Sequence, residues 1–273
     1  MKKILAPVDF SNESAHAAYY AAGLAREINV KLTLLYVFNL PMPVSEAPFP
    51  VDFSRLEEEN KQMLNDLAGE IKERSGIMPE CRVVCGMPVE EILEMTSGNY
   101  FGLVVMGSRG AGGTLSTWMG STATAVIRHS LLPILVVPAG FDFTPWKQIL
   151  LAFDFRAIHH AEVFDDLKQW SRLFVADITV LNIVEEGAVE EKAKELAGSE
   201  TSHFLDGLKY QFHFEKNHQV RAGLDNYLKG HPADLIVIVP HTHNWLDRLF
   251  FQTHSENLML HTQRPILALP DIE

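Results

Sequence analysis

The chain repeats itself once, and no other feature constrains its fold as tightly. Residues 4–10 (ILAPVDF) recur as 149–155 (ILLAFDF), and 32–37 (LTLLYV) recur as 178–183 (ITVLNI). Further along, 103–106 (LVVM) matches 235–238 (LIVI), and 128–135 (RHSLLPIL) matches 260–267 (LHTQRPIL). One repeat of this period signals a duplicated domain rather than a solenoid of many short units. The early offsets are 145 and 146, whereas from Gly86 to Pro138 the second copy reads at a constant 132 without a gap. The second copy is therefore shorter between its second and third strands. Two domains are expected, 1–140 and 147–273, each of ordinary domain size, joined by a short linker around 139–147.

Within each copy, apolar runs alternate with amphipathic segments. In the first, short Val-, Ile- and Leu-rich runs predict strands near 3–8, 31–37, 81–85, 102–106 and 133–137, buried on both faces. Helices are expected near 12–27, 55–74, 88–97 and 118–130, with Ser11 or Asn12 capping the first and Pro88 in the first turn of the third. Residues 38–54 hold four prolines and read as an irregular loop. A β-α-β-α order implies a parallel sheet with crossover helices, so the fold class is α/β, with a five-stranded, mainly parallel sheet per copy.

A formal net charge of −12 disfavours nucleic acid and anionic membrane as partners, because both would be repelled. No stretch approaches the ~18 apolar residues of a membrane helix. The two cysteines, Cys81 and Cys85, do not suit a disulfide framework, and a reducing cytoplasm is the expected location. An anionic ligand would need a local binding device rather than a basic field.

The segment from Met106 to Ser121 supplies such a device. It spaces its glycines as Gly107, Gly110 and Gly120, leaves the end of the fourth strand, and returns at the start of a helix. Ligands of open α/β sheets bind at that edge. Glycines let backbone N–H groups approach phosphate oxygens, and a helix beginning at Gly120 and Ser121 adds donors and a positive dipole end. The segment is not a Walker A loop, since no lysine precedes its serine. It also lacks an evident water-activating carboxylate or a second basic clamp, so slow or absent hydrolysis is expected.

This glycine spacing resembles the nucleotide-binding signature of the ATP-binding universal stress proteins. Pro7-Val8-Asp9-Phe10-Ser11 and residues 133–138 (PILVVP) also look like that family, and the likeness runs over the whole chain as a tandem pair. The resemblance implies two Rossmann-like domains of the adenine nucleotide alpha hydrolase type. It implies ATP, or else ADP or AMP, as ligand, with Mg2+ or Mn2+ as an optional companion. Gly107, Gly110, Gly120 and Ser121 would hold the phosphates. Asp9 would bond the ribose or a metal-bound water, unless it only caps a turn. Val37 and Met106 would line the adenine pocket, unless they only pack the core. Pro7, Arg109 and Thr122 complete the implied binding set, Arg109 being the loop's one cation and otherwise a solvated side chain. No catalytic residue and no protein metal site is expected. A stress-response or regulatory role and an internal pseudo-dimer of the two domains follow from the same likeness, with homodimerisation left open. An ATPase or other nucleotide-dependent enzyme is one alternative; a nucleotide-free interaction scaffold is another.

The second copy has Val239, Thr242, Gln252 and Thr253 where the first has its three glycines and serine, although Asp154 matches Asp9. Side chains there would occupy phosphate space, so one nucleotide per chain is expected. Ten of the twelve histidines lie in this copy. His241, His243 and His254 raise the idea of zinc, but ordinary polar loop histidines are the plainer reading, and no complete ligand set is legible.

Overall fold

The computed structural model describes residues 2–39, 53–108, 119–152, 161–184, 205–240 and 264–270. They divide into two compact units, with residues 2–108 and 120–143 in the first and residues from Thr144 onward in the second.

In the first unit the strands are β1 (Lys3–Val8), β2 (Leu32–Phe38), β3 (Glu80–Cys85), β4 (Phe101–Gly107) and β5 (Ile134–Val137), and the helices are α1 (Asn12–Glu27), α2 (Phe53–Ser75), α3 (Pro88–Ser97) and α4 (Ser121–His129). The sheet order is β3-β2-β1-β4-β5, every pairing parallel. The expected elements are all present. The core strands β1, β2, β4 and β5 are apolar almost throughout because helices cover both of their faces. Strand β3 departs from the expectation of burial on both faces: it is the outermost strand of this order and stays partly exposed along its length. Its Cys81 thiol donates to the Leu64 carbonyl of α2, and burial pushes that thiol's pKa up; both cysteines are free thiols.

Helix α1 starts where Ser11, in an extended conformation, accepts from the Ser14 N–H through its Oγ at 3.2 Å. That satisfies one of the orphan donors of the first turn. Pro88 opens α3 behind Met87, where a missing N–H costs nothing.

The second unit repeats this arrangement with β6 (Gln148–Ala152), α5 (Asp165–Phe174), β7 (Asp177–Val184), β8 (Tyr210–Lys216), α6 (Val220–Gly230), β9 (Leu235–Ile238) and β10 (Ile266–Ala268). Its order is β8-β7-β6-β9-β10, again parallel throughout. The register is reproduced as well. Ile4 pairs with Leu32 and Leu103; at the same offsets Ile149 pairs with Ile178 and Leu235.

One detail of the repeat is corrected. Thr33 pairs with Glu80 and Thr179 with Gln211, so the third strand, which precedes the stretch read at 132, matches at an offset of 131. The N–H of Gly86 donates to Phe38 and that of Asn217 to Val184, still at 131. The helices α3 and α6 then match at 132. The ungapped stretch thus begins at the helix, and the second copy holds one extra residue between Asn217 and Val220.

Two linker aromatics anchor the chain, one in each unit. The Phe143 ring meets Tyr20 of α1 edge to face at 5.3 Å and lies on Gly23, where a Cβ would approach Phe143 Cβ to 2.9 Å. Trp146 is 1% exposed and packs edge to face on Trp170 and Phe174 of α5. Aromatic pairs of this geometry add about 0.5–1.5 kcal/mol beyond their burial.

Among the described residues no helix is long and apolar enough to cross a membrane, and no group of three His, Cys, Asp or Glu side chains could hold a metal ion. His241, His243 and His254 lie outside the described residues.

Candidate functional site

Strand order reverses between β1 and β4: the chain winds outward through β2 and β3, then returns to the other side of β1. Neighbouring crossovers leave the sheet in opposite directions there and open a crevice at the carboxyl ends of the strands. Asp9 follows β1 on one side of that point, and Gly107 ends β4 on the other.

The Asp9 turn is tightly specified. Its carboxylate Oδ1 accepts from the Ser11 N–H at 3.1 Å and from the Ser11 hydroxyl at 2.5 Å. Its own N–H donates to Ser14 Oγ at 3.1 Å. The side chain therefore does shape the turn into α1, as one of its two sequence readings had it, yet the residue remains exposed at the carboxyl edge. Phe10 sits at φ 61, a left-handed conformation uncommon outside glycine. This turns its ring onto Tyr36 of β2, centroids 4.5 Å apart. Burial and the Asp9 charge both push the Tyr36 phenol's pKa up. Pro7 is partly buried within β1, paired with Leu35.

Across the switch point, Met106 is buried and Gly107 half-buried; they pair with Val136 and Val137 of β5. Ser108 follows, buried, its N–H donating to the Val137 carbonyl at 3.0 Å. Its own carbonyl accepts from the Gly120 N–H at 2.7 Å. That bond closes the glycine-rich segment, so the end of β4 and the start of α4 lie side by side. Arg109 and Gly110 lie outside the described residues.

Gly120 is the N-cap of α4, and no side-chain cap bond is present there. Ser121 is exposed, Thr122 is half-exposed, and no acidic residue occupies the first turn. This contrasts with α1, whose start is capped by Ser11. An α-helix start carries unsatisfied N–H donors and a positive dipole end, which together favour an anion. Gly120 lies at φ −69 and ψ 158. Any residue can adopt this backbone, so what a side chain at Gly120 would take is space.

Val37 is half-buried on β2 and pairs with Val84 of β3, one residue short of the Phe38–Cys85 pair that ends both strands. The structure thus brings Pro7, Asp9, Val37, Met106, Gly107, Gly120, Ser121 and Thr122 to one edge of one sheet.

Sequence reasoning missed Glu91. From the first turn of α3 its side chain folds back over Gly86, placing Oε1 2.1 Å from where a Gly86 Cβ would stand. A glycine ahead of Met87-Pro88 looks like turn punctuation; that it makes room for a carboxylate shows only in three dimensions.

In the second copy the described residues at the equivalent edge are different. Val239, in place of Gly107, is 1% exposed, and the next residue is Pro240, which has no N–H to donate as Ser108 does. Gly223 replaces Glu91, and a Cβ there would meet Ile183 Cγ2 at 2.9 Å. Helix α6 therefore rests directly on the side chain that stands in the Val37 position. Asp154, Thr242, Gln252 and Thr253 lie outside the described residues.

Comparison with known proteins bears on both copies. The family model described as "Universal stress protein family" matches residues 1–138. A universal stress protein of Methanocaldococcus jannaschii is 30% identical over 139 residues, covering 50% of this chain and 81% of that protein. Another, from Bacillus subtilis, is 26% identical over 145 residues, covering 50% of this chain and 97% of that one. The crystal structure of a universal stress protein from Archaeoglobus fulgidus matches with a TM-score of 0.73 at 19% identity. That match covers 99% of this chain and 98% of the other, so the shared fold extends through both copies.

Proposed function

The chain belongs to the universal stress protein family, and from that premise we propose that its first domain, residues 1–140, binds ATP or a related adenine nucleotide, while the second, residues 147–273, is a degenerate copy that serves as its structural partner. The observation that carries this reading is the start of α4. A helix without a side-chain cap or first-turn acid is hydrogen-bonded through Gly120 to the end of β4, beside the topological switch point. The phosphates lie against the N–H groups of this first turn, with Gly107 and Gly110 giving close approach, Ser121 and Thr122 at the rim, and Arg109 as the segment's cation. Asp9 meets the ribose, or a water of Mg2+ or Mn2+ accompanying the phosphates. Pro7, Val37 and Met106 border the base. The metal, when bound, supplies charge neutralisation at the phosphates, and nothing in the turn around Asp9 conflicts with it.

Hydrolysis is slow or absent in this reading. Neither the glycine segment nor the Asp9 turn offers a lysine or a placed general base for phosphoryl transfer. The role is that of a nucleotide-binding regulatory protein of the stress response, acting in the cytoplasm.

The test is calorimetric titration of ATP into the full chain and into Gly120→Val. Valine adopts φ −69 without strain, so the fold is kept while its side chain enters phosphate space. At least a tenfold weaker affinity is expected in the variant. Equal affinities would remove the α4 start from the site.

A further inference from the structure

We propose that Glu91 is a specificity-determining residue of this site, its carboxylate accepting a hydrogen bond from the exocyclic amino group of the bound base and so selecting a 6-amino purine over a 6-oxo purine. The inference rests on the nucleotide reading above and assigns the base-recognition end of the same site.

The sheet itself sets the dimensions. Neighbouring strands lie about 4.8 Å apart, so the carboxyl end of β1 is one spacing from that of β4, and β2 is two spacings, about 10 Å, away. With the phosphates at β4 and α4 and the ribose at Asp9, the base falls at the end of β2. The next position outward, about 14 Å from β4, is the end of β3. Gly86 follows β3 there, its N–H bonded to the Phe38 carbonyl of β2. The Glu91 carboxylate lies over that glycine. It is half-buried, and no described residue is its hydrogen-bond or ion-pair partner.

Chemistry selects among bases. An ionised carboxylate only accepts hydrogen bonds. Adenine offers a donor at its 6-position, whereas a 6-oxo purine presents an acceptor there. Two features of the fold fit this use. Only glycine at position 86 leaves room for the carboxylate. In the second copy the counterpart of Glu91 is Gly223, and the Ile183 side chain fills the space beneath it. The copy that has lost its glycine segment has thus also lost this group.

The test uses the full chain, Glu91→Gln and Gly86→Ala, each titrated calorimetrically with ATP and with inosine triphosphate. Gly86→Ala would press on the Glu91 side chain from Cγ outward, so the carboxylate must move while the backbone is kept. The parent is expected to prefer ATP by about tenfold, the scale of one charge-assisted hydrogen bond. Both variants should narrow that preference to within about threefold, with Glu91→Gln gaining affinity for the 6-oxo base because an amide can also donate. An ATP-to-inosine ratio unchanged in both variants overturns the assignment, as does a parent that binds both ligands equally. A parent that binds neither overturns the nucleotide reading itself, and this assignment with it.

Discussion

Tyr36 and Asn182, Val37 and Ile183, Met106 and Ile238, Gly107 and Val239, and Ser108 and Pro240 are counterparts in the two copies, fixed by identical strand register. In the first copy this edge ends in a half-buried glycine and a serine whose N–H continues the ladder to Val137. In the second it ends in a buried valine and a proline. Register has been kept because the strands are buried on both faces, and a shift of one residue would exchange every side chain between them. Nothing comparable constrains the residues just past the strand ends. A duplicated sheet can thus hold its frame while residues at the ends of its strands are replaced.

The opposite edge sharpens the point. After α1 the chain turns through Asn29 at φ 53, with the Val30 N–H reaching back to the Ala25 carbonyl. After α5 the same turn recurs, Val175 standing at φ 52 and the Ala176 N–H bonding Ser171. Asparagine tolerates this left-handed conformation; a β-branched residue does not, and Val175 is also 80% exposed. Val175→Asn should therefore stabilise the second unit by about 1–2 kcal/mol, and Asn29→Val should destabilise the first by a similar amount. Urea unfolding followed by tryptophan fluorescence reads the former, since Trp146 and Trp170 are buried in the second unit. A midpoint that does not rise in Val175→Asn would mean the two turns are not equivalent.

A smaller contrast is electrostatic. Glu80 of β3 accepts from Lys3 Nζ at 2.8 Å, with Lys31 at 3.6 Å. The Lys3 hydrogen bond is the main reason its carboxyl lies below the usual value of 4.5; burial opposes this, and the charges of both lysines add to it. Its counterpart Gln211 donates to Thr179 Oγ1 and carries no charge. A carboxyl depressed in the folded state adds stability that is complete above 4.5 and is lost as pH falls through the folded value. Both partners are more than a third exposed, so the contribution stays below about 1 kcal/mol. Glu80→Gln should be less stable than the parent at neutral pH, with the gap closing in acid. A gap of the same size at both ends of the titration would assign the loss to packing instead.

The strands and helices of the first copy were legible because burial on two faces leaves unbroken apolar runs, and because Ser11 and Pro88 mark helix starts by chemistry that operates locally. The duplication was legible for the same reason. The extra residue between Asn217 and Val220 was not, since no strand or helix residue changes face when a turn gains one. Linker anchoring by Phe143 and Trp146 and the placing of Glu91 over Gly86 depend on elements distant in sequence, so no local pattern reports them. Of the site, the glycine spacing and the Asp9 turn could be read directly. That Gly120 matters for space and not for backbone freedom could not, because a glycine needed for space and one needed for positive φ look alike in sequence.

The division of labour between the copies is tested most directly by the stoichiometry of ATP binding to the full chain, measured by isothermal titration calorimetry at a protein concentration well above the dissociation constant. One nucleotide per chain is expected, with none taken up beside Val239, Pro240 and Ile183 of the second copy. Two nucleotides per chain bound with similar affinity would contradict it.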